Sequence, residues 1–268
     1  MFRRLRIGRA TRSTVAWIGL LVMAVSFVWM ELMPRPEGSA SAGRSAATKG
    51  SLGMVVLDPG HGGQDSGAIC GTVLEKDLTL DVAQRVDRLL QAEGLSSLMT
   101  RAGDSFVSLA DRARFTNNIR DCIFVSIHFN EGDRALASGV ETYYADHQMI
   151  PAPSLISWIP FLPRREPSDS PIIESQSLAG FIQEALVART RAVDRGAKPR
   201  QFFVIANVTH PAVLIEGGFL SNTEDVAKLT NVEYREQLAA AITEGILRYR
   251  DLLQQRQPTL AVTVPARR

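Results

Sequence analysis

MVVLDPGHGGQDSGAICGTVLEKDLTLD, residues Met54 to Asp81, is the stretch on which the rest of the chain hangs. Its first four residues, Met54 to Leu57, are a short apolar run of the kind that fits a buried strand. Pro59 stops that strand, and Gly60, Gly62 and Gly63 let the backbone turn tightly about one imidazole, His61. Glu75 then opens a helical pattern in which Leu78, Val82, Val86 and Leu89 recur at steps of three to four. A histidine on a strand-end turn and a glutamate at the next helix start can meet at one point. A second histidine of this kind, His128, follows the apolar run Cys122 to Ile127. Two histidines and a glutamate, each at the edge of an element, make the ligand set of a catalytic zinc site that leaves a fourth position for water. Spacing alone leaves a second reading open, in which these are ordinary turn residues, because no tandem HExxH ligand pair is present.

Outward from this stretch, strands and helices alternate. Further strands are expected at Leu95 to Thr100, Cys122 to Ile127, Gly139 to Tyr144, Phe202 to Ile205 and Ala212 to Ile215. Helices are expected from Glu75 to about Ala92, over Asp111 to Ile119, over Glu174 to Arg191, and over Tyr234 to Leu253, with Ser221-Asn222 capping another. The pattern predicts an α/β, three-layer single catalytic domain over residues 53–255, with a mixed, mainly parallel sheet flanked by helices. In such sheets ligands sit beyond the carboxyl ends of strands. His61, His128 and Glu216 all follow strands directly.

The chain has 268 residues, 45% hydrophobic and 22% charged, enough for a sizeable core. Its net charge of +2 is unevenly placed. Arg3, Arg4, Arg6, Arg9 and Arg12 face only Glu31 in the first 34 residues, so the remainder is slightly acidic, which argues against nucleic acid as a partner. After the arginines, Val15 to Met30 is an uncharged apolar run, longer than a usual signal core and just short of a spanning helix. Residues 1–33 therefore predict an N-terminal apolar helix, either a cleaved signal peptide or an inner-membrane anchor, with the rest exported to the periplasm or cell envelope. Residues 34–52 read as a flexible linker and 256–268 as a disordered tail. Residues 147–173 carry six prolines around the apolar LISWIPFL, so no long regular element is expected there. Cys70 and Cys122 do not make a disulfide framework; unpaired thiols near the site are expected, with a disulfide or a cysteine ligand as alternatives.

Four motifs in order, DPGHGGQDSGA, EKDLTL, SIHFN and LIEGGFLSN, resemble the zinc-dependent N-acetylmuramoyl-L-alanine amidases, cell-wall hydrolases of the amidase-3 type. The resemblance runs from about Met54 to about Leu253. It implies Zn2+ held by His61, Glu75 and His128, with Glu216 as the catalytic acid and base. It also implies the substrate, the amide joining N-acetylmuramic acid to L-alanine in peptidoglycan. In some members a segment inserted after the GVETYY strand covers the groove until a partner removes it. Residues 147–173 are then either such a cap, a dock for an activator protein or the membrane, or an inert flap. Three further residues are candidate substrate contacts, each with a plainer alternative. Asn130 could orient the ligand loop, Glu141 could be a strand carboxylate with a structural partner, and Arg112 could form a salt bridge fixing its helix. Two other functions fit the same motifs less fully: a zinc peptidase acting on stem peptides, and a cell-wall-binding module without catalysis.

Overall fold

The computed structural model describes residues 52–132, 136–149 and 170–256. The expected leader or anchor, the linker up to Ser51, the centre of the Pro-rich segment and the tail lie outside the described residues. No described helix is long and apolar enough to cross a membrane.

The strands are β1 (Met54–Pro59), β2 (Ile69–Cys70), β3 (Val73–Leu74), β4 (Ser97–Met99), β5 (Cys122–Asn130), β6 (Val140–Tyr144), β7 (Asp194–Pro199) and β8 (Ala212–Phe219). The helices are α1 (Glu75–Ala92), α2 (Leu109–Asn117), α3 (Ser170–Thr190), α4 (Phe203–Ala206), α5 (Thr223–Leu229) and α6 (Val232–Gln255). Six strands form one sheet in the order β4-β1-β5-β8-β6-β7, and β2 pairs with β3 in a small hairpin. β4, β1, β5 and β8 run parallel; β6 is antiparallel to β8, and β7 is parallel to β6. The mixed, mainly parallel α/β sheet is therefore as expected.

Alternation along the strands splits the core in two. Val55 and Leu57 of β1, Ile123, Val125 and Ile127 of β5, and Val213 and Ile215 of β8 face α1, α3 and α6. On α1, Leu78, Val82, Val86 and Leu90 recur at helical spacing and are all buried against that face. Each such side chain contributes about 1.5–3 kcal/mol on burial. The opposite face carries Val56, Phe124, Tyr143 and Leu214 under α2 and the single turn α4. On this second face polarity changes along the strands. Val56 gives way to Asp58, Phe124 to Ser126 and then His128, and Leu214 to Glu216. The apolar half holds the layer down, and the polar half, at the carboxyl ends of β1, β5 and β8, is the end at which a site can form.

Three local expectations need correction. Phe202 to Ile205 is not a strand: residues 203–206 form α4, whose Val204, Ile205 and Ala206 pack onto the second face. An apolar run this short fits either element, and tertiary packing decided it. β7 was not anticipated, because DRGAKP lacks an apolar alternation; as the edge strand it has one sheet neighbour and needs none. α3 begins at Ser170 rather than Glu174, since Pro171 is tolerated in a first turn, where no intrahelical donor is needed.

Candidate active site

The turn after β1 is held from outside by two buried arginines. Arg112 donates to Asp58 Oδ1 at 2.6 Å, to Pro59 O at 2.7 Å, to His61 O at 2.7 Å and to Val107 O at 2.9 Å. Arg101 donates to Pro59 O, Gly60 O, Lys76 O and Gly103 O. Asp58 also accepts from Thr100 Oγ1 and Ser126 Oγ. This cage holds His61 at a φ of 60°, a left-handed conformation uncommon for a residue with a side chain and characteristic of functional turns. Arg112 is thus not a substrate contact: it is buried at 3% exposure, and its guanidinium is committed to Asp58 and to backbone carbonyls. Arg112→Met should strand the Asp58 charge and cost about 3–5 kcal/mol by urea unfolding. A second change, Asp58→Asn, should recover part of that loss if the pair is the cause.

Three side chains meet at the polar end of the second face. His61 Nε2 is 3.1 Å, and His128 Nδ1 2.9 Å, from the same Glu75 Oε1. The two rings meet edge to face with centroids 4.9 Å apart. Glu75 is the first residue of α1, where the helix dipole favours a negative charge. Its Oε2 accepts from Ala68 N at 2.9 Å and its Oε1 from Phe129 N at 3.1 Å. Burial pushes the Glu75 carboxyl up, but His128 and His61 outweigh it and hold the group well below the usual carboxylate range. For His61, burial works to lower its pKa, yet the carboxylates of Glu75 and Asp65 leave it raised. Asp65 Oδ1 lies 3.0 Å from His61 Nδ1, off the line of a hydrogen bond. Two glycines make the convergence sterically feasible. A Cβ on Gly60 would lie 2.2 Å from the His128 ring, and one on Gly67 would lie 2.5 Å from Glu75 Oε2. The ligand atoms of His61, Glu75 and His128 all fall within 4.8 Å of one another, the one such group among the described residues. Two imidazole nitrogens and one carboxylate oxygen suit a borderline divalent metal ion.

Glu216 stands beside this group in the ladder. It pairs with His128 on β5 and, across its other edge, with Glu141 on β6. Its Oε2 is buried without a hydrogen-bond partner, and the residue as a whole is half-buried. Burial first, then the charges of Glu75 and Glu141, push its carboxyl well above the usual range, with Arg200 offsetting a part. Glu141 is the opposite case. Its Oε1 accepts from Asn130 Nδ2 at 2.8 Å, and its Oε2 lies 2.9 Å from Lys198 Nζ and 3.1 Å from Arg195 Nε. Burial is outweighed there by Lys198, and the carboxyl is lowered. Glu141 therefore holds a charge with structural partners, and Asn130 orients it. The sequence offered no sign of Arg195 and Lys198, since β7 itself was not seen.

Both cysteines are unpaired. Cys122 is not near the site: it opens β5, six residues before His128, or about 20 Å along an extended strand. Burial pushes its thiol up to about 11, so it is inert.

Comparison with known proteins fits this geometry. The N-acetylmuramoyl-L-alanine amidase family pattern matches residues 55–248, which include His61, Glu75, His128 and Glu216. The chain belongs to the N-acetylmuramoyl-L-alanine amidase family. The chain is 35% identical to the N-acetylmuramoyl-L-alanine amidase LytC of Bacillus subtilis (strain 168) over 195 residues, 73% of this chain and 35% of LytC. It thus spans about a third of that relative's length. Among solved structures, an N-acetylmuramoyl-L-alanine amidase from Clostridium difficile 630 superposes with a TM-score of 0.63 at 32% identity, over 75% of this chain and 98% of that one. The CwlD amidase of Clostridioides difficile, solved in complex with the GerS lipoprotein, gives 0.63 at 28% identity, over 74% and 98%. The fold of the chain is that of N-acetylmuramoyl-L-alanine amidases.

Proposed function

We propose that the chain is a zinc enzyme that hydrolyses the amide between N-acetylmuramic acid and L-alanine in peptidoglycan, in cell-wall remodelling or daughter-cell separation. The observation that carries this is the buried, unpartnered Glu216 Oε2, on the residue paired directly across the ladder with His128. His61, Glu75 and His128 would hold the zinc, which would supply a Lewis acid for the scissile carbonyl and a bound water of pKa about 7. Glu216 takes the proton of the attacking water and passes it to the leaving nitrogen, which must be protonated to depart. Its high proton affinity suits the second half of that task. Glu75, ionised and fixed by two backbone N–H groups, stays a ligand and does not compete for the proton. The Arg112 and Arg101 cage fixes His61 so that little reorganisation is needed at the moment of reaction.

The arginines before Val15 and the apolar run after them support export to the periplasm or cell envelope, with the N-terminus cleaved or kept in the inner membrane. That CwlD was solved with a lipoprotein supports an activator protein acting here on residues 147–173. Purified sacculi test the central reading. Digestion should release peptides with a new L-alanine amino terminus, and glycan chains with unchanged reducing ends. Cleavage between two amino acids would make it a peptidase. Binding without any release would make it a wall-binding module.

A further inference from the structure

The position of Glu216 gives the site a direction. A residue that protonates the leaving nitrogen lies on the peptide side of the scissile bond. Across the sheet the row runs from His128 on β5 through Glu216 on β8 to Glu141 on β6, and then to β7 at the edge. The departing peptide therefore extends toward β6 and β7, and the sugar toward the His61 turn.

What waits on that side is positive. Arg195 and Lys198 both reach Glu141 Oε2 while remaining 34% and 43% exposed. Arg195 also lies over the Phe219 ring, with its guanidinium 4.8 Å from the centroid. Arg200, just past β7, is exposed and makes no ion pair among the described residues. Its guanidinium is held 5.3 Å from the Phe202 ring centroid and 5.8 Å from that of Tyr143, rings that themselves stack edge to face. Stacked in this way, a guanidinium keeps its planar donors free for a carboxylate. Two cations thus share the carboxylate of Glu141, while Arg200 offsets part of the charge of Glu216; against both carboxylates one positive charge is in surplus. Asp194, at the start of β7, is tied to Gln183 and to Gly196 N.

We propose that Arg195, Lys198 and Arg200 form a binding site for a carboxylate of the departing peptide, so that the amidase selects acidic stem peptides over amidated ones. The inference rests on the amidase reading above. The reach is right. Two strand spacings from Glu216 to β7 are about 10 Å, a peptide advances about 3.5 Å per residue, and the long basic side chains reach back to meet it. A free carboxylate on the second or on the third residue of the stem would serve.

The test uses zinc-loaded full chain and three muramoyl tripeptides, with free carboxylates at residues two and three, with residue two amidated, or with residue three amidated. Wild type should prefer the free acid over one of the amides by about tenfold in kcat/KM, the worth of one charge-assisted hydrogen bond. The sensitive position identifies which carboxylate is bound. Arg200→Gln, or Lys198→Gln with Glu141 still held by Arg195, should bring that ratio close to one, chiefly through KM. Raised salt should narrow it as well, because these cations are exposed. Equal rates on all three substrates in wild type, or a preference that survives both variants, overturns the carboxylate site and leaves the amidase reading standing. Failure of wild type to cleave any of the three overturns the amidase reading and this inference with it.

Discussion

Glu216→Gln should leave the metal stoichiometry unchanged while lowering the release of stem peptides by about 10²–10⁴-fold, the range for loss of a general acid and base. Glutamine keeps the shape of the side chain but can neither take a proton from water nor give one to the leaving nitrogen. His61, Glu75 and His128 make none of their mutual contacts through Glu216, so the ligand group should persist. The same change should stabilise the fold. The Glu216 carboxyl is raised in the folded state, so folding favours its protonated form. That contribution is complete below the unfolded pKa and is lost as pH rises through the folded one. At neutral pH the charged form is buried without a partner on Oε2, and a neutral amide avoids that cost. Metal-free Glu216→Gln should therefore melt a few degrees above metal-free wild type near pH 7, with the gap closing in acid. Retained hydrolysis would remove Glu216 from the mechanism, and a lower melting point would show that its carboxylate is better satisfied than its surroundings indicate.

His128→Ala should abolish both metal retention and hydrolysis. A three-ligand site that loses one donor keeps too little affinity to survive dialysis, and a chelator applied to wild type should give the same silent protein. The fold should survive, because His128 lies in the polar half of β5 while the apolar anchors Ile123, Phe124, Val125 and Ile127 lie before it. Glu75 would still accept from Ala68 N and Phe129 N. Circular dichroism should therefore match wild type while bound zinc, measured by atomic emission, falls from about one per chain to near zero. Full activity in metal-free buffer would sink the metal reading entirely.

Much of this arrangement was legible in the chain because local rules wrote it. The apolar run before Pro59, the glycines around His61 and the 3.6-residue spacing after Glu75 each follow from one segment's own physics, and β1 and α1 appear where those rules put them. The parallel sheet followed from strands alternating with helices. What stayed illegible depends on distant partners. Nothing in DRGAKP announces a strand, because β7 is defined by its neighbour β6 and not by its own pattern. Glu141 could not be told from a catalytic acid until Lys198 and Arg195 were seen to neutralise it. Arg112 could not be assigned to the His61 turn without knowing that α2 packs over the end of β1. Spacing brought His61, Glu75 and His128 to attention, but the choice between ligands and ordinary turn residues needed either coordinates or the family's motifs.

The three side chains that could hold a metal come from separate places, the turn after β1, the first residue of α1 and the far end of β5, and β1 must be zipped to β5 before two of them can face each other. An unfolded chain has no such grouping and so no comparable grip on an ion. A metal held there would grip only the folded chain, so bound metal would count correctly assembled molecules. Every tenfold rise in free ion above its dissociation constant deepens the native well by about 1.4 kcal/mol. Metal scarcity would act on this protein twice, by idling the catalyst and by loosening the scaffold that carries it.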